Sequence, residues 1–163
     1  MQLNGLIYKI PKEIKLLLGV FIIVLSIGFY TGLLFVNETS SVSPEGIEEN
    51  YLGNENDEDA RVMKFKKPDK EMLSIVHSHI LSMSLIFFLL GLILSITNIS
   101  RSLKLFLMIE PFFSVVLTFG GIYLLWKGIL WMKYIVMFSG ILMTASFTIA
   151  VLIILWQLFR SKK

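Results

Sequence analysis

Four long apolar stretches separated by polar breaks set the pattern of this chain. Leu16–Val36 and Met72–Ser100 carry no charge, Leu105–Trp126 carries only Glu110, and Tyr134–Phe159 carries none. Each exceeds the roughly 20 apolar residues that a helix needs to cross about 30 Å of hydrocarbon. Polar and apolar residues do not alternate along them, so they read as helices rather than barrel strands, and a helix satisfies its own backbone in lipid. The pattern predicts an all-α fold: an integral membrane bundle of four transmembrane helices at 16–36, 72–99, 105–126 and 134–159. It forms a single membrane domain over 1–163, with one long outward-facing loop at 37–71. Lys9, Lys12 and Lys15 precede the first span as in a signal peptide. Its apolar stretch is longer than a signal's core, however, and no small-residue cleavage pattern follows Val36, so it reads as a retained anchor.

Composition sharpens this picture. Hydrophobic residues make up 55 % of the 163 and charged residues 17 %, against roughly 45–50 % and about 25 % in soluble domains. Ten of the 12 acidic residues lie between Glu38 and Glu71. Such a chain is a membrane protein and not a soluble enzyme. The lack of cysteine excludes disulfides, thiolate nucleophiles, zinc–thiolate and iron–sulfur sites, and covalently attached haem.

Basic residues set orientation. Lys9, Lys12, Lys15, Arg101, Lys104, Arg160, Lys162 and Lys163 share one side; Arg61, Lys64, Lys66, Lys67, Lys70, Lys127 and Lys133 share the other. The count is nearly tied. Both termini and the short second loop are basic with little acid nearby, which places the termini in the cytoplasm and the acidic loop outside. The expected location is a bacterial inner membrane. The loop is acidic through Glu45, Glu48, Glu49, Glu55, Asp57, Glu58 and Asp59, then basic from Arg61 to Lys70. It can fold on itself, lie on lipid headgroups or cover a neighbour.

Two loop motifs fail on inspection. Asn54-Glu-Asn56-Asp-Glu58-Asp59 invites a calcium reading, but an EF-hand loop needs glycine at its sixth position and glutamate at its twelfth. Asp59 and Phe65 stand there, which leaves a solvated acidic turn. Asn37-Glu-Thr39 and Asn98-Ile-Ser100 match the glycosylation pattern, but both abut spans and read as chance matches.

The chain's two histidines lie in His77-Ser-His79-Ile-Leu-Ser82-Met83-Ser84-Leu-Ile-Phe87-Phe88-Leu-Leu-Gly91. Two residues turn a helix by about 200°, so the rings point to nearly opposite sides and cannot share one metal on an unbroken helix. Nor can they supply both axial ligands of one haem. His77 shares a face with Ser74, Ser84, Phe88, Gly91 and Ser95; small residues favour close helix contact, so His77 is expected to face the bundle. His79 shares a face with Met83, Ile86, Leu90, Ile93 and Thr97 and is expected to face lipid, headgroups or another protein. The plain reading is an interfacial imidazole bonded to headgroups, water or a loop carboxylate. The sharper reading is a ligand-binding site. Its expected surroundings at the outer level are Tyr30, Tyr123, Trp126, Lys127, Trp131, Tyr134, Met132 and Met137. The candidate cofactors are haem b, copper or quinone: a haem would take a methionine or another subunit's histidine, copper a histidine with methionines, a quinone a histidine beside an apolar slot.

Glu110 is the other outlier, a carboxylate inside the third span followed by Pro111, at the level of Asn98, Gln157 and Lys15. It reads either as an acid tying helix ends together or as a proton carrier. Small-residue motifs recur: Gly28-Phe-Tyr-Thr-Gly32, Gly120-Gly121, and Gly140 with Thr144.

At His77–Gly91 the HxH, Phe-Phe and Gly pattern resembles one seen in some uncharacterised small multi-span bacterial membrane proteins. It is similar, more loosely, to histidine-bearing helices of the haem–copper oxidase superfamily. That likeness implies a haem- or metal-related role to be tested. The superfamily's reaction centre needs further histidines that are absent here.

Three functions follow as expectations. The first is a non-catalytic subunit or scaffold of a larger membrane complex, partnered by the bilayer and by other membrane subunits or its own copies, with no nucleic acid. The second is a haem-, metal- or quinone-binding protein using His77 or His79. The third is a small proton-coupled transporter using Glu110.

Overall fold

The computed structural model describes residues 3–40, 43–55 and 62–160. Its order is a 3-10 turn at Leu6–Tyr8, then α1 Lys12–Ser40, α2 Pro44–Leu52, α3 Asp69–Ser95, α4 Arg101–Trp126 and α5 Met132–Phe159. There is no strand among the described residues. Four of these helices, α1, α3, α4 and α5, are long and apolar enough to cross a membrane.

Helices α3, α4 and α5 form the tight part of the bundle, with the antiparallel pair α4–α5 at its centre. Gly121 permits a close approach of that pair, because a Cβ there would stand 2.9 Å from Val136 Cγ2. Phe147 of α5 is fully buried. Phe29 of α1 stacks on it at 3.9 Å, and Phe87 of α3 meets it edge-on at 6.2 Å.

Helix α1 is peripheral. It leans on the bundle through one stripe at helical spacing, Leu18, Ile22, Leu25, Phe29 and Leu33. Only 17 % of its apolar window is buried, against 44 % for α4.

The connection between α1 and α3 contains an element that the hydropathy pattern does not show. Ser43 caps α2, its Oγ accepting the Gly46 N–H at 3.0 Å; Pro44 opens the helix and Glu45 lies in the first turn. Gly53 ends it at φ 82°, where an added Cβ would stand 2.8 Å from both Lys64 O and Lys66 N. The returning chain is stitched to this corner. Asn54 N–H donates to Lys64 O (3.0 Å), Lys64 N–H to Asn54 Oδ1 (2.6 Å), Asn54 Nδ2 to Val62 O (3.1 Å), and Lys67 N–H to Tyr51 O (3.2 Å). Lys133 at the start of α5 anchors α2 through Glu48 (2.7 Å) and Glu45 (3.8 Å). The loop thus folds back as a cap on its own bundle. Asn54 of the calcium-like motif is occupied by backbone; residues 56–61 lie outside the described ones.

The opposite end holds both termini of the described chain. Here α3 stops at Ser95, short of position 99. The N-terminal segment captures the next carbonyls: Ile7 N–H donates to Ile96 O (3.1 Å) and Gly5 N–H to Thr97 O (3.4 Å). Lys104 Nζ closes the turn by donating to Ser95 O, Thr97 O and Asn4 Oδ1 at 3.0, 2.6 and 2.9 Å. These acceptors leave Asn98 within a folded turn, and Asn37 lies inside α1.

Candidate functional site

The two histidines lie near the cap end of α3, and both are exposed. His79 Nδ1 is 2.8 Å from the Ile75 carbonyl, and its ring lies 4.8 Å from Phe119 of α4. Its face is the packed one: Leu90, Ile93 and Thr97 are buried. The expected facing is therefore reversed. Gly91 of the His77 face does lie near α4, where an added Cβ would stand 3.8 Å from Met108, but the buried side of α3 is made chiefly by large side chains, Met72, Phe87, Leu90 and Leu94. Among the described residues, no three His, Cys, Asp or Glu side chains gather closely enough to hold a metal ion.

The other candidates separate into two places. Tyr123 and Trp126 come together at the cap end, ring centroids 5.8 Å apart. Trp126 is buried and its indole N–H donates to Lys67 O at 2.8 Å. Lys127 Nζ lies over both rings, at 5.5 Å and 4.4 Å. Met137 is half-buried on α5, next to Val136.

Tyr30 is elsewhere. Its hydroxyl pairs with Thr148 Oγ1 at 2.8 Å, and its ring meets Phe147 edge-on. Thr148 lies roughly 24 Å along α5 from the cap-end start at Met132. Tyr30 therefore lies well below the cap-end level, 39 % exposed on the flank of the bundle, and not at the aromatic belt. Its position in the sequence near the end of an apolar run misleads because α1 continues as helix to Ser40.

Glu110 is buried in the α4–α5 seam, where the hydroxyls of Ser114 and Ser146 each donate to one of its two carboxylate oxygens. These are not the neighbours expected from depth alone. Asn98 and Gln157 instead form their own pair nearer the helix ends. A second hydroxyl pair, Thr118 and Ser139 at 2.7 Å, lies farther along the same seam towards the cap. Ser114 and Ser146 are functional neighbours of Glu110 that span hydropathy does not mark out. The available signal was Ser114 four residues after Glu110, on the same helix face.

In the cap, burial pushes the Tyr51 phenol above its ordinary range, and a hydrogen bond from the Asn50 side chain partly opposes this.

A family model described as a transmembrane helical domain matches residues 41–163. The chain belongs to this family, Aq_1264_TM. It is accordingly an integral membrane protein, whose apolar helices contact the lipid bilayer. The matched stretch takes in α2, the cap and helices α3 to α5; α1 precedes it. No curated protein and no solved structure matches the chain.

Proposed function

We propose that the chain is a non-catalytic membrane subunit that assembles side by side with other membrane proteins, α1 being the contact helix. One observation carries this reading. Gly28 and Gly32 lie on the exposed side of α1, with nothing within 4 Å of where a Cβ would stand. Small residues at this spacing let a second helix approach closely in lipid. The position of α1 outside the family-matched stretch supports it as an addition to a self-contained unit. The test is mass determination of the native assembly in mild detergent. Gly28→Leu with Gly32→Leu is expected to release a folded monomer. A wild-type chain that is already a lone monomer sinks the reading.

Glu110 supports a second reading, a proton-carrying residue in a small transporter, since each of its carboxylate oxygens is presented to a hydroxyl inside the bundle. Proton-coupled flux in proteoliposomes that is lost in Glu110→Gln supports it; flux unchanged by that substitution ends it.

A further inference from the structure

The cap carries two features that neither its fold nor the proposed assembly uses. The first is a run of exposed apolar side chains on an extramembrane segment. Val62, Met63 and Phe65 are 67 %, 56 % and 68 % exposed. Their backbone is fixed by the hydrogen bonds to Asn54 and Tyr51, so these side chains are held outwards. Phe65 stands four residues before α3, at most about 14 Å along an extended chain. That reach keeps it close to the level where the spans leave the hydrocarbon.

The second feature is a convergence of positive charge. Lys66 Nζ lies 5.1 Å and Lys127 Nζ 4.4 Å from the centroid of the same ring, Trp126. Two neighbouring cations are neutralised: Lys67 pairs with Glu71 at 2.5 Å and Lys133 with Glu48 at 2.7 Å. Among the described residues neither Lys66 nor Lys127 has a carboxylate partner. Among the described residues their charge is met by aromatic faces. Trp126 ends α4 and packs on the chain just before α3, so both ammonium groups stand where two spans emerge.

We propose that Lys66 and Lys127, flanked by Val62, Met63 and Phe65, form a binding site for the headgroup of an anionic phospholipid in the cap-side leaflet. The lysines supply the phosphate's counter-charge, and the apolar side chains enter the interfacial layer beside it. A free phosphate ion would use the lysines but has no use for three outward apolar side chains, which is why the lipid is the favoured source.

The test uses the full-length chain in detergent, loaded with phosphatidylglycerol or phosphatidylcholine and analysed by native mass spectrometry. The expected result is at least about threefold greater retention of phosphatidylglycerol at equal lipid. Lys66→Gln with Lys127→Gln should bring it down to the phosphatidylcholine level, with helical circular dichroism unchanged. If that pair disturbs folding, Lys66→Gln alone, on the exposed cap, should still lower retention. Val62→Ser with Phe65→Ser should also lower it while keeping every charge. Equal retention of the two lipids overturns the site, as does retention indifferent to Lys66. Displacement of the lipid by millimolar inorganic phosphate assigns the lysines to a soluble anion and overturns the lipid assignment.

Discussion

Gln157 holds both backbone polar groups of Asn98. Its Oε1 accepts the Asn98 N–H at 2.7 Å and its Nε2 donates to the Asn98 carbonyl at 3.2 Å. Gln157 is fully buried near the end of α5, so a single amide fixes the α3–α4 turn against the last helix. Loss of two such bonds costs about 1–3 kcal/mol, most of it from leaving a backbone donor without a partner. Gln157→Leu should lower stability by that order in thermal unfolding. Gln157→Glu should cost more, because a carboxylate cannot donate to the carbonyl and brings charge to a buried site.

The α4–α5 seam should respond sharply to added volume at one glycine and hardly at its neighbour. Gly121→Ala drives a methyl group to 2.9 Å from Val136 Cγ2, whereas Gly120 has nothing within 4 Å. Overpacking costs roughly 1–3 kcal/mol, and the alanine recovers up to about 1 kcal/mol of helix propensity. Gly121→Ala should therefore lower the unfolding midpoint, Gly120→Ala should leave it level or raised, and Val136→Ala should rescue Gly121→Ala. Equal behaviour of the two glycine variants contradicts this account of the seam.

Each carboxylate oxygen of Glu110 has its own hydroxyl donor. Ser146→Val removes one and leaves the oxygen facing apolar neighbours, a cost of about 1–3 kcal/mol. Glu110→Gln retains one acceptor and gains a donor that a serine hydroxyl can accept, so it should be milder. Denaturation of the two variants in the same detergent gives the order directly.

The cap should loosen in alkali before the bundle does. Burial raises the Tyr51 phenol above the ordinary phenol value of about 10. With the folded value raised, its contribution is fully present below pH 10 and is lost as pH rises through the folded value. Absorbance titration should show a late-ionising phenol component that is lost in Tyr51→Phe. Proteolysis of the cap should accelerate over the same alkaline range in the wild-type chain.

The spans were legible because lipid imposes a blunt requirement: long apolar runs with no charge, each satisfying its own backbone. Helix α2 was equally present in the letters, as Ser43 before it, Pro44-Glu45 in its first turn and Gly53 after. It is only nine residues long, and its polar composition hides it from hydropathy. The candidate site was less legible. The periodicity correctly separated His77 from His79 but assigned the wrong one to the bundle, because small and large side chains both make seams and periodicity does not say which. Depth counted along one helix likewise misplaced Tyr30, whose level is set by its partner Thr148 on α5.

The sequence by itself determined the helical class, the four spans, the polar loop and the residues of unusual chemistry, since these depend on transfer to lipid and on local backbone preference. Only the tertiary structure decided that the loop folds into a cap held by Lys133, that Glu110 is shared between Ser114 and Ser146, and that α1 stands apart with Gly28 and Gly32 open. Those outcomes depend on helix rotation and register. Spans apolar on all sides leave both free until neighbouring side chains interlock.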